Sequence, residues 1–245
     1  MEAKAVTNKT NIQFDQTCVE CFRRTFKRLS KKFNFSEQNN KDFDAIFDDI
    51  MEKHQASTSP EIQVELGKAF SKIAGEKDLF KSEKTFFNNL ALQQIEKWKP
   101  IAKSSTNPFD TAMRLAVAGN IIDFGALDEF NVSKTIEEVL NGDFAINHSE
   151  HLRKELLKAK SVLYIGDNAG EIVFDKLFIE SLNLNDITFA VRGGPALNDA
   201  LLQDAEEVKM HEVAKVISNG YNAPSTVLQK SSNEFKTVFN NADVI

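Results

Sequence analysis

The sequence predicts an α/β protein: a parallel sheet layered between helices, preceded by an all-helical N-terminal domain. Three observations predict it. As far as Lys160, apolar residues recur at three- and four-residue spacings, as on amphipathic helices. From Ser161 onward, short apolar runs alternate with helical patterns, the rhythm of strand–loop–helix units. Those runs are continuously apolar rather than alternating, which fits strands covered on both faces, as in a parallel sheet.

In chain order, Phe22, Phe26 and Leu29 form a first helical stripe and Phe43, Ile46, Phe47 and Ile50 a second. Ser59-Pro60 reads as a capping hydroxyl ahead of a proline in the first turn, and Gly75 as the stop. Asn107-Pro108 repeats the start signal, with Asp110 beside the positive helix pole. Asn141-Gly142 closes a segment containing Ile136, Val139 and Leu140. Six or seven helices are expected before the rhythm changes, and no repeat of fixed period points to a solenoid. The expected domains are therefore 1–155 and 156–245, with the polar residues up to about position 12 as a flexible tail.

Val162 to Ile165 is the first predicted strand, followed by Gly166 and a helix through Val173, Leu177 and Phe178. Ile187 to Val191 is the second, followed by Arg192-Gly193-Gly194-Pro195 and a helix around Ala200 to Ala205. Val213 to Ile217 is the third, ending at Ser218-Asn219-Gly220. Asp243-Val244-Ile245 reads as the opening of a fourth, so the second domain is expected to lack its last strand–loop–helix portion.

With 42% hydrophobic and 27% charged residues in 245 positions, the chain can bury a substantial core, which disfavours disorder. Thirty basic residues against 36 acidic give a net charge of −6, an argument against a general nucleic-acid binder or a basic membrane-surface protein. No apolar run approaches the roughly 18–20 residues that span a bilayer. The polar N-terminus reads as neither signal nor anchor, and two cysteines make no disulfide framework. A cytoplasmic protein is expected.

In open parallel sheets, ligands bind beyond the carboxyl ends of the strands. Here those ends deliver Gly166-Asp167-Asn168-Ala169-Gly170-Glu171, then Arg192-Gly193-Gly194-Pro195 with Asn198-Asp199 close behind, then Ser218-Asn219-Gly220. Acids and carboxamides converging there supply hard oxygens that suit Mg²⁺ or Mn²⁺. The glycines let backbone N–H groups approach an anion. Each Asp or Asn on its own also reads as an ordinary helix cap. Gly166 and Gly170 do not make a dinucleotide-binding fingerprint, and the chain has no P-loop.

The string from Leu163 through Gly166-Asp167-Asn168-Ala169-Gly170-Glu171 to Asp175 resembles the signature of the domain of unknown function 89 family, the metal-dependent damage-control phosphatases. Arg114 to Gly125, Val191 to Ala200, and Ser218-Asn219-Gly220 with Pro224-Ser225-Thr226 agree with it in family order. Cys18-Val19-Glu20-Cys21 resembles the cysteine pair of the family's mainly prokaryotic branch.

The resemblance implies a Rossmann-like α/β/α domain with a helical N-terminal domain, and one divalent metal (Mg, Mn, Ni or Co) held by Asp167, Asn168 and Asp199. It puts Asn120 and Asp123 at the mouth of the site and Glu171 at the substrate rim. Arg192 and the groups near Ser218, Asn219 and Gly220 would face the phosphate. It implies hydrolysis of small phosphorylated metabolites such as sugar phosphates, with Asp167 or Asp199 orienting or deprotonating the attacking water. Family members continue into a Lys-Gly loop that helps hold phosphate, whereas this sequence stops at Ile245. The implied alternatives are a truncated chain, or one that binds a metal and a phosphometabolite without efficient turnover. From the residues alone, a methyltransferase using S-adenosylmethionine fits a similar crevice. Cys18 and Cys21 share a helix face, as do His148 and His151, and neither pair completes a four-ligand zinc site.

Overall fold

The computed structural model describes residues 16–54, 57–121 and 132–245. The expected N-terminal tail and Asp123 lie outside the described residues. The chain divides into two compact units, Met1–Leu79 and Phe80–Ile245.

Among the described residues, three helices build the first unit: α1 (Gln16–Lys32), α2 (Glu37–Lys53) and α3 (Ser59–Ala74). Their apolar stripes meet in a phenylalanine cluster. Phe26 lies 5.0 Å from Phe43 and 5.4 Å from Phe70, between ring centroids, and Phe35 stacks on Phe70 at 4.4 Å. Ile46, expected in the stripe, is exposed, because a narrower face suffices to cover α2. The start of α3 is one residue earlier than expected. Thr58 is the cap, its N–H donating to Glu61 Oε2 at 3.0 Å, so Ser59 and Pro60 are the first helical residues. Gly75 closes the helix at φ 70°, as its type suggests. Cys18 is partly exposed and Cys21 exposed, both as free thiols.

The second unit begins with α4 (Lys81–Ser104), α5 (Pro108–Ile121), α6 (Val132–Asn141) and α7 (Ser149–Leu156). Asn107 caps α5 through its Oδ1, which accepts from the Asp110 N–H at 3.3 Å. There follow β1 (Val162–Ile165), α8 (Glu171–Ser181), β2 (Ile187–Val191), α9 (Leu202–Glu207), β3 (Lys215–Ser218) and α10 (Asn233–Asn241). The strands pair in parallel in the order β1-β2-β3, with Tyr164 opposite Phe189 and Phe189 opposite Val216. The third strand begins two residues later than the apolar run suggests, because Met210–Glu212 forms a 3₁₀ turn that takes up Val213 and Ala214. At the other edge of β1, Val244 makes a parallel bridge to Val162.

Side chains alternate across the sheet. Val162, Phe189 and Val191 face a core shared with Leu115, Ile172, Phe174 and Phe178, against α8 and α5. Leu163, Ala190 and Ile217 face Phe235 of α10. The result is the expected α/β/α layering. The change of sequence rhythm near residue 155 marks where helices give way to strands, whereas the compact units part at Leu79. Helices α4 and α5 pack on α8 and belong with the sheet. Periodicity identifies a helix but not its packing partner. Among the described residues, no helix is long and apolar enough to cross a membrane.

Candidate active site

Parallel pairing puts the carboxyl ends of β1, β2 and β3 side by side, and their three loops form the candidate site. Gly166 starts the first loop. A Cβ on it would lie 2.3 Å from Cζ of the buried Phe189 ring, so no larger residue fits where the chain leaves β1. Asp167 and Asn168 follow. The Asn168 Nδ2 donates to Asp167 Oδ2 at 3.1 Å and to Glu171 Oε2 at 3.0 Å, and its backbone N–H donates to Glu171 Oε2 at 3.3 Å. Glu171 opens α8, where a carboxylate meets the positive helix pole. Asn120, near the end of α5, donates to the same Glu171 oxygen at 3.0 Å.

The second loop runs back to meet the first. Ala169 N–H donates to Asn198 O at 2.9 Å and Ala200 N–H to Asp167 O at 2.7 Å, a short bridge that pairs Asn168 with Asp199. Leu197, at φ 50°, turns the chain into this bridge. Arg192 joins the carboxylates: its Nε donates to Asp199 Oδ2 and its Nη2 to Asp167 Oδ1, each at 2.5 Å. Its Nη1 reaches Gly166 O and Thr226 Oγ1, both at 3.3 Å. The Arg192 and Asp199 side chains are 4% and 5% exposed, whereas Asp167 is 44% exposed and open to solvent.

The third loop braces the second. Asn219 is buried, with its N–H on Val191 O at 2.8 Å and its Oδ1 accepting from Tyr221 N–H at 2.9 Å. Ser218 Oγ accepts from the Gly220 N–H at 3.0 Å, and Gly220 is exposed at φ 76°. Gly193 N–H donates to Tyr221 O at 3.0 Å, an approach so close that a Cβ there would lie 2.3 Å from Tyr221 N.

Burial shapes the acidity of these groups. It pushes the Asp199 carboxyl up to about 6, with Arg192 opposing the rise and Asp167 adding to it. Burial also raises Glu171, against the hydrogen bonds from Asn120 and Asn168. Below them, Tyr164 donates to Asp175 Oδ1 at 2.6 Å, and burial holds both groups well above their ordinary values. A cleft of about 690 Å³ opens beside Asn120 and Glu171, and Tyr164, Asp175 and Phe178 line it too.

The donor set suits a hard divalent ion. Asp167 and Asp199 offer carboxylate oxygens. Asn168 spends its amide N–H groups on Asp167 and Glu171, leaving its Oδ1 without a hydrogen bond among the described residues. A guanidinium against both acids shows that the cradle stabilises positive charge. Among the described residues, no group of three or more His, Cys, Asp or Glu side chains is placed to hold a metal. The Asp–Asn–Asp set, with one carboxamide, is of a different composition.

A family model described as "Damage-control phosphatase ARMT1-like domain" matches residues 15–245. The chain belongs to this family. It is 40% identical over 185 residues to an uncharacterised protein of Methanocaldococcus jannaschii, covering 71% of this chain and 60% of that protein. It is 35% identical over 141 residues to a damage-control phosphatase of Pyrococcus horikoshii, covering 56% and 49%. An Archaeoglobus fulgidus damage-control phosphatase is 31% identical over 180 residues, covering 71% and 62%. The chain thus spans between about half and three fifths of the length of these curated relatives. The crystal structure of a DUF89 family protein from Pyrococcus horikoshii matches with a TM-score of 0.81 at 26% identity, covering 94% of this chain and 82% of that one.

Family membership and fold agree with the sequence reading, and Asp167, Asn168, Asp199, Arg192, Glu171 and Asn120 lie in one connected cluster. The side chains of Ser218 and Asn219 are engaged in turning their own loop. Sequence reasoning missed Thr226 as a partner of Arg192, and Lys84, Asn88 and Asp204 as supports of the two loops. Lys84 and Asn88 carry no signal in the sequence, because a polar residue within an amphipathic helix reads as part of its wet face.

Proposed function

We propose that this chain carries the ion-binding core of a divalent-metal-dependent phosphatase acting on small phosphorylated metabolites, sugar phosphates or related compounds. The observation that supports it most is the meeting of Asp167 and Asp199, from separate loops, on the buried guanidinium of Arg192. Asp167, Asn168 and Asp199 would hold one ion, with Mg, Mn, Ni and Co as candidates. Bound there, it supplies Lewis acidity toward a phosphoryl oxygen.

The chain's own residues do the rest. Asp167, half open to solvent, or Asp199 behind it would orient or deprotonate an attacking water. Arg192, expected to face the phosphate, is buried between Asp167 and Asp199, so its positive charge would act from behind the two carboxylates, with Thr226 helping to fix its direction. Of the Ser218–Gly220 turn, the exposed Gly220 is the part open to phosphate. Asn120 and Glu171 border both the ion cradle and the cleft, where the organic part of the substrate would extend. Phosphoryl transfer from a monoester needs chiefly positioning and charge neutralisation, which is what this cluster offers.

The test is hydrolysis of an aryl phosphate and of a panel of sugar phosphates by the full chain. Each of Mg²⁺, Mn²⁺, Ni²⁺ and Co²⁺ is supplied in turn, with and without chelator. Turnover that a chelator abolishes and one of these ions restores is expected. No metal-stimulated turnover with any ion would overturn the proposal.

A further inference from the structure

One face of α4 holds a buried polar assembly. Lys84 and Asn88, one turn apart, are 3% and 1% exposed. Asn88 Oδ1 accepts from the Gly170 N–H at 2.7 Å, and its Nδ2 donates to Asp204 Oδ1 at 3.2 Å and to Glu207 Oε2 at 3.1 Å. Lys84 Nζ donates to Asp204 Oδ2 at 3.0 Å, and that oxygen also accepts from the Leu201 N–H at 2.9 Å. Gly170 ends the loop that carries Asp167 and Asn168. Leu201 ends the loop that carries Asp199. A single helical turn therefore holds the first loop directly and the second through Asp204 of α9, just beyond the bridge that joins the loops at Ala169 and Ala200.

An assembly of this kind is a costly way to attach a helix. Taking a lysine and an aspartate out of water costs several kcal/mol per ion, and apolar replacements of similar size are often as stable or more so. What polar groups add is direction: each bond fixes a length and an angle that apolar packing leaves loose. An ion shared between two loops needs its donors held within roughly half an ångström of their working positions.

We propose that Lys84 and Asn88 are positioning residues for the ion site, setting the separation between the Asp167–Asn168 loop and the Asp199 loop. The inference rests on the ligands assigned under the proposed function. It places part of the site's geometry on α4, whose residues touch neither ion nor substrate.

The test separates affinity from stability. Mn²⁺ binding to the full chain is measured by titration calorimetry, and thermal stability in parallel, for wild type, Asn88→Ala and the double variant Lys84→Met/Asp204→Leu. Asn88→Ala should weaken Mn²⁺ binding by roughly 10–100-fold, the loss typical of removing a group that orients a ligand. The double variant removes the ion pair and also leaves the Leu201 N–H without its acceptor, so it should melt below wild type and bind Mn²⁺ at least tenfold more weakly. A core variant in the first compact unit, Phe70→Ala, should lower the melting temperature and leave Mn²⁺ affinity within twofold. Wild-type affinity in Asn88→Ala and the double variant would overturn the inference and leave the ligand assignment standing. If the double variant does not fold, Asn88→Ala decides alone by the same criterion. A wild-type chain that binds no Mn²⁺ would overturn the ligand assignment itself, and this inference with it.

Discussion

Replacing Arg192 with methionine keeps most of the side-chain stem and removes the guanidinium from between two acids. The loss can be worked bond by bond. The ion pair to Asp167 is half exposed, and such pairs contribute about 0–1 kcal/mol. The pair to Asp199 is buried on both sides, and deleting one member of a buried pair costs about 3–5 kcal/mol, because the other charge is stranded. The second pair dominates, so a total of about 3–5 kcal/mol is expected. For a domain of 150–250 residues each kcal/mol moves the melting temperature by roughly 2–4 °C, so Arg192→Met should melt about 6–20 °C below wild type. The assay is calorimetric melting in chelator. Because the cost arises from a stranded carboxylate, Arg192→Met/Asp199→Asn should regain most of the loss. A single variant within about 1 kcal/mol of wild type, or a double variant no more stable than the single, would refute the reasoning.

Three further outcomes follow from the same geometry. Gly193→Ala pushes a Cβ to 2.3 Å from Tyr221 N and 2.4 Å from Gly220 C, so it should cost about 1–3 kcal/mol or more by urea unfolding, and an unchanged midpoint would contradict the close approach. Asp167→Ala, at a half-exposed position, should abolish Mn²⁺ binding by calorimetry while changing stability by less than about 1 kcal/mol; retained binding would remove Asp167 from the ligand set. Burial raises Asp175 well above the ordinary carboxylate value of 3.8, so its favourable contribution is complete below 3.8 and drains away as pH rises toward its raised folded value. Asp175→Asn cannot ionise and keeps an oxygen for the Tyr164 hydroxyl, so it should gain on wild type in urea unfolding as pH rises above 3.8. Parallel curves would contradict the burial argument.

The sheet was legible because its strands are buried on both faces and therefore written as unbroken apolar runs. Val162–Ile165 and Ile187–Val191 match the strands residue for residue. Lys215–Ser218 was displaced because Val213 and Ala214 are just as apolar but follow a 3₁₀ turn. The acids at the strand ends were legible through topology alone, since parallel strands deliver their loops to one edge. That Arg192 lies between Asp167 and Asp199, rather than open toward solvent, depends on the bridge of Ala169 and Ala200, which no residue type announces. The attachment of α4 to the site was hidden for the same reason. Lys84 and Asn88 look like surface residues until the loops they hold are in place.

Anomalous scattering from crystals grown with Mn²⁺ tests the shared-ion claim most directly. The account predicts a single peak within coordination distance of Asp167, Asn168 and Asp199. No peak at millimolar Mn²⁺, with the Arg192 guanidinium still bonded to both acids, would contradict it.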